Sequence, residues 1–144
     1  MSGLSLTRTY HFSAGHRLAS AALSEEDNAR VYGQCYRPHG HNYLVEVTVA
    51  GAMDPRTGMA ADLEDLDVTV QRVVLDRVDH YDLSSAVPEL EGVVTTGENL
   101  ARTFWGWLEP ALPAGSLRRV AVVETANNVF EYRGPGDEES CSNG

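Results

Sequence analysis

His39-Gly40-His41-Asn42-Tyr43-Leu44-Val45-Glu46-Val47-Thr48-Val49 decides the architecture: its second half has the β-branched and aromatic composition of a strand, and its first half carries two histidines two positions apart. Residues two apart on a strand point to the same face, so both imidazoles can address one ion. A second strand-like run, Leu4 to Phe12, continues to His16, and Leu4, Leu6, Tyr10 and Phe12 share its parity. If these two strands pair, all three rings meet.

Three neutral imidazoles with no fourth protein ligand suit a catalytic Zn²⁺, which keeps a coordination position for water or substrate. The competing reading is three unrelated strand histidines. Three of the five histidines on two neighbouring strands favour the metal. Cys35 lies four residues before His39, in Gly33-Gln34-Cys35-Tyr36-Arg37-Pro38-His39. It reads equally as a fourth ligand, a small buried residue or a reactive thiol, whose thiolate fraction a nearby cation would raise.

Working outward, two helices separate this strand pair from another. The first spans about Asp62 to Arg77, with Leu63, Leu66, Val70, Val73 and Val74 at helical spacing and Asp62 as N-cap. The second spans about Gly97 to Leu112, with Leu100, Phe104, Trp107, Leu108 and Ala111 on one stripe and Thr95 with Glu98 as a capping box. Strand character resumes in Leu117 to Thr125, turns near Asn127-Asn128 and returns through Tyr132. The order strand, strand, helix, helix, strand, strand is an α+β layout, a four-stranded antiparallel sheet with two helices on one face. Residues 1–134 form one domain, and 135–144 read as a flexible acidic tail that holds the second cysteine, Cys141.

With 144 residues at 42% hydrophobic, the chain can bury a core without disulfide staples. A formal charge of -10 argues against nucleic acid or an anionic membrane as partner. No run approaches the roughly 18 apolar residues of a membrane span, and the N-terminus lacks the pattern of a signal peptide, so a cytoplasmic location is expected. Arg17, Arg30 and Arg37 lie near the histidines in sequence and are placed to meet phosphates locally, although for any one of them a solvated surface role is the default.

Three further groups complete the set. Asp79-His80 follows the first helix, and a carboxylate bonded to an imidazole orients it and stabilises its charged form. The ordinary alternative is a solvated turn. Glu124 ends a strand face shared with Val120 and Val122, where it needs a partner: an arginine, or the donor edge of a ligand. Thr96 lies at a helix start, where capping and ligand contact weigh equally.

These residues resemble the 6-pyruvoyltetrahydropterin synthase and 6-carboxytetrahydropterin synthase family of T-fold pterin enzymes. The likeness is carried by Phe12-Ser13-Ala14-Gly15-His16-Arg17-Leu18, by Cys35 with His39-Gly40-His41-Asn42-Tyr43, and by Asp54-Pro55-Arg56-Thr57-Gly58-Met59. Val78-Asp79-His80-Tyr81-Asp82-Leu83, Thr96-Gly97-Glu98-Asn99-Leu100-Ala101, and Glu124-Thr125 with Tyr132-Arg133-Gly134 continue it in the family's order. The resemblance implies Zn²⁺ on His16, His39 and His41, and a catalytic set of Cys35, Asp79 and His80 that cooperates across a subunit boundary. It implies Glu124 as anchor of the pterin ring, with Thr96 as a secondary contact. It also implies trimers whose sheets join into a barrel, stacked in pairs as a homohexamer.

The implied reaction begins from 7,8-dihydroneopterin triphosphate and needs no nicotinamide or flavin; no Gly-rich dinucleotide fingerprint is evident. Two products compete. The three-residue gap between Cys35 and His39 resembles the carboxy-forming branch, which serves queuosine-type pathways, whereas Ser24-Glu25-Glu26-Asp27-Asn28 and Glu124-Thr125-Ala126-Asn127-Asn128 resemble the pyruvoyl-forming branch. The pyruvoyl-forming lyase stands slightly ahead, and a noncatalytic pterin binder is the third reading. Gly97 occupies a place where relatives often carry Ser or Thr, so one ring-side hydroxyl is expected to be missing.

Overall fold

The computed structural model describes residues 3–125 and 127–136. Alternation in the two opening strands sets the sheet. Ser5–His16 (β1) lies antiparallel to His39–Ala50 (β2), in register from Ser5↔Ala50 to His16↔His39. Leu117–Thr125 (β3) joins β2 and Asn128–Tyr132 (β4) joins β3, both antiparallel, giving the order β1-β2-β3-β4. The four-stranded antiparallel sheet expected from the sequence is the one found.

One face of this sheet is the core. Phe12, Tyr43, Val45, Val47, Val120 and Val122 are fully buried there. Phe12 stacks on Tyr43 with ring centroids 4.6 Å apart and meets Phe104 edge-on at 5.9 Å. Phe104 belongs to Gly97–Leu108 (α4), which also buries Leu100, Ala101 and Leu108. A continuous helical run completes the layer: Leu63–Val70 (α2), a wider π turn over Gln71–Leu75, and Asp76–Val78 (α3). It supplies Leu66, Val70, Val74 and Val78 to the core. Both helical stripes anticipated from spacing therefore pack where expected, on one face.

The helix ends refine the expectation. Asp62 caps α2, accepting from the Asp65 N–H at 3.0 Å. At α4 the cap is Thr96, which accepts from the Asn99 N–H at 3.2 Å, rather than Thr95. Thr95 is buried and turned to His16, so the capping register moves one residue along. The α-helix also stops at Leu108, short of Leu112, and Glu109–Ala111 tightens into a 3₁₀ turn around Pro110.

Between β1 and β2 lies a helix that hydrophobic periodicity did not reveal, Glu25–Tyr32 (α1). Its only buried residue is Asn28, so polar bonds hold it instead. The Asn28 amide accepts from the Ser20 N–H at 2.7 Å and donates to the carbonyls of Ser20 and Ser24. Ser24 caps the helix, and Glu25, Glu26 and Asp27 in the first turn complement its dipole. A 3₁₀ turn, Gly33–Tyr36, follows and carries Cys35. Residues 137–144, which include most of the expected acidic tail and Cys141, lie outside the described residues.

Gly97 has a steric reason. A Cβ built there would lie 1.9 Å from Cδ2 of Phe130 on β4, so the Phe130 ring fills the space that a residue-97 side chain would need. Gly97→Ser should therefore destabilise the fold by about 1–3 kcal/mol through overpacking. Phe130→Val should recover most of that loss in the double variant. Urea unfolding of the four-member cycle measures the coupling; additive effects would contradict the contact.

Candidate metal centre

Each histidine reaches the site because of where the β1–β2 ladder ends. The last pair is His16↔His39, and Ala14↔His41 precedes it, so His16, His39 and His41 emerge on the core face at one end of the sheet. Their ring centroids are 4.5 Å (His16–His39), 5.0 Å (His16–His41) and 4.8 Å (His39–His41) apart. One nitrogen from each lies within 4.8 Å of the others, an arrangement that can hold a metal ion.

Backbone carbonyls select the available nitrogens. His16 Nδ1 is 3.0 Å from the Thr95 carbonyl and 3.2 Å from its hydroxyl, and His39 Nδ1 is 2.7 Å from the Arg37 carbonyl. An Nδ1–H donated to a carbonyl fixes the tautomer and leaves Nε2 with its lone pair toward the cluster, as is usual around metal-bound imidazoles. Nε2 of His41 is buried and makes no hydrogen bond, although Oε1 of Glu124 lies 3.2 Å away. That close approach lacks hydrogen-bond alignment, so the nitrogen stays free for another partner. The donor set fits a borderline cation such as Zn²⁺.

Electrostatics favour the same state. Burial first, and then the neighbouring His39 and His41, lower the pKa of His16 to about 4. Burial also lowers His41, against the opposing pull of Glu124. Burial first and then Glu124 raise the Tyr43 phenol, whose oxygen stands 3.4 Å from His16 Nε2. Neutral imidazoles are the form that binds a metal, so little protonation has to be reversed near neutrality.

Asp79 and His80 form the expected pair, with Oδ1 of Asp79 2.9 Å from Nδ1 of His80. The same oxygen accepts from the Ser13 N–H at 3.0 Å, and the His80 N–H donates to the Ser13 carbonyl at 2.6 Å, which ties the turn to β1. His80 adopts φ 66, a left-handed conformation uncommon for a non-glycine residue, and its side chain is 81% exposed. It lines an open groove of about 490 Å³ with Ser13, Gly15, Gly40, His41 and Asp82.

Cys35 is exposed. Among the described residues no hydrogen bond or ion pair joins its thiol to His80, and it is not part of the three-histidine cluster. Thr96 is the α4 cap. Glu124 lies beside His41, and among the described residues no arginine forms an ion pair with it; Arg30 pairs with Asp27, and Arg119 with Glu46 and Glu131. Thr95 was missed as the residue that orients His16. Its only sequence signal is the doubled threonine, which leaves the capping position ambiguous by one.

The family model described as 6-pyruvoyl tetrahydropterin synthase matches residues 5–135. A 6-pyruvoyl tetrahydrobiopterin synthase of Poecilia reticulata is 47% identical over 131 residues, covering 90% of this chain and 89% of that one. The Homo sapiens protein of the same name is 44% identical, covering 90% of each chain. A 6-carboxy-5,6,7,8-tetrahydropterin synthase of Aquifex aeolicus is 28% identical, over 89% of this chain and 96% of its own. Among solved structures, Caenorhabditis elegans 6-pyruvoyl tetrahydropterin synthase superposes with a TM-score of 0.86 at 36% identity, over 91% of this chain and 95% of that one.

The depressed His16 pKa gives a pH signature in the metal-free protein. The folded state resists protonation that the unfolded chain accepts near pH 6.5, so this group's contribution to stability is present above about 6.5 and is lost as pH falls toward about 4. Thermal melting of metal-free protein across that range should fall more steeply than in His16→Gln. Parallel profiles would contradict the assignment.

Proposed function

The chain belongs to the 6-pyruvoyl tetrahydropterin synthase family, and from that membership we propose that it is a zinc-dependent lyase that converts 7,8-dihydroneopterin triphosphate to 6-pyruvoyltetrahydropterin. The observation that carries this reading is the cluster of three buried or half-buried histidines at the end of the β1–β2 ladder, in a chain 44–47% identical to relatives that bear the pyruvoyl name. The 6-carboxytetrahydropterin alternative has the short Cys35-to-His39 interval in its favour, but the relative of that name is less similar, at 28% identity.

His16, His39 and His41 would hold the ion, which when bound would polarise the side-chain oxygens of the pterin and acidify the adjacent C–H and O–H bonds. Thr95 and the Arg37 carbonyl keep the ligand rings turned inward. Glu124, beside His41, offers carboxylate oxygens to the N–H donors of the pterin ring within reach of the metal ligands. Thr96 has its hydroxyl oxygen engaged as a cap, which leaves the O–H for a ring contact.

Cys35 acts as the base that removes a carbon-bound proton, and His80, oriented by Asp79, receives or returns it. The exposure of His80 and its separation from Cys35 favour a relay completed by a neighbouring subunit, within a homohexamer of stacked trimers whose sheets close into a barrel. Elimination of triphosphate and tautomerisation move reducing equivalents from side chain to ring, so no external redox partner is consumed. Among the described residues no helix is long and apolar enough to cross a membrane.

The test is mass-spectrometric product analysis after zinc-loaded protein meets 7,8-dihydroneopterin triphosphate. A pyruvoyl product is expected, with turnover reduced about 10²–10⁴-fold in Cys35→Ala. A carboxy product with acetaldehyde would transfer the assignment to the alternative, and no cysteine-dependent product would reject both.

A further inference from the structure

Arg17 follows His16 directly, yet no step of the proposed reaction uses it. Its guanidinium carbon lies 4.1 Å from the centroid of the Tyr36 ring, and its Nε is buried without a hydrogen-bond partner. A desolvated guanidinium N–H lacking an acceptor is unfavourable in itself, so the cation–π contact with Tyr36 and the surrounding backbone are what keep the side chain there. That backbone is held on two sides. The Arg17 N–H donates to the Ser84 hydroxyl at 2.9 Å, which donates back to the Arg17 carbonyl at 3.1 Å. On the other side the Leu18 N–H donates to the Cys35 carbonyl at 2.7 Å.

The turn carrying Cys35 needs such outside support. Gly33–Tyr36 buries none of its residues, has no side-chain cap, and enters through Gly33 at φ 57. Its firm contacts to the end of β1 are therefore the Leu18 bond and the Arg17–Tyr36 stack. Resting on the reading of Cys35 as the base, we infer that Arg17 is a positioning residue whose stacking on Tyr36 fixes the Gly33–Tyr36 turn, and with it the Cys35 thiol, relative to the metal ligands. The planar guanidinium matters here, because a lysine offers the charge without the flat face.

Arg17→Lys, Tyr36→Ala and Tyr36→Phe test it with two readouts on the zinc-loaded full-length protein. Hydrogen exchange of the Leu18 amide and of residues 33–37 should speed up about tenfold in Arg17→Lys and Tyr36→Ala and remain at the wild-type rate in Tyr36→Phe. In those first two variants kcat should fall about tenfold or more with KM within about twofold and zinc content unchanged, because displacing the thiol costs turnover rather than binding. Wild-type exchange and kcat in either Arg17→Lys or Tyr36→Ala would overturn the inference. A rise in KM confined to Arg17 variants, with Tyr36→Ala silent, would overturn it too and make Arg17 a charge contact for the substrate. If the wild-type protein shows no turnover, the lyase reading fails, while the exchange series still decides whether the strut exists.

Discussion

The register of the β1–β2 ladder is the constraint on which the rest depends. Because side chains alternate with a period of two, a slip of one residue would turn either Phe12 of β1 or the set Tyr43, Val45 and Val47 of β2 away from the core. The same slip would part His16 from His39 and His41. Core and site are thus specified by one pairing, and the stacked Phe12–Tyr43 pair holds it just inside the site. Burying that aromatic pair contributes about 0.5–1.5 kcal/mol beyond its area. Tyr43 joins the two regions, packing its ring in the core while its hydroxyl reaches toward His16.

Placing three histidines at the end of a packed ladder has an electrostatic consequence. The burial that stabilises the sheet also disfavours imidazolium, which keeps His16 and His41 as neutral donors. Carbonyls of Thr95 and Arg37 then set the rings, one from the segment leading into α4 and one from the segment leading into β2. Three separate stretches of chain therefore converge on the cluster, although the three histidines come from only two strands.

Much of this was legible in the sequence for a definite reason: strands and amphipathic helices write their burial into a period. The parity of Leu6, Phe12 and His16, the His39–His41 spacing, and the stripe Leu100–Phe104–Leu108 all translated directly into one face of one sheet. What stayed hidden carries no period. Helix α1 is held by Asn28 and a serine cap, so no apolar stripe marks it. The cap of α4 could be either of two adjacent threonines, and only the demand of His16 for a partner separates them. Contacts such as Arg17 on Tyr36 and Glu124 beside His41 join segments far apart or turned by loops, which spacing alone does not encode.

In the proposed function three imidazoles, and no thiolate, hold the ion and leave a position for the substrate. X-ray absorption of the protein loaded with one equivalent of Zn²⁺ tests this most directly. Only nitrogen and oxygen neighbours are expected, at about 2.0–2.1 Å, with the multiple-scattering pattern of three imidazoles. A sulfur neighbour at about 2.3 Å would overturn this, because Cys35 would then be a ligand that closes the site rather than the base proposed above.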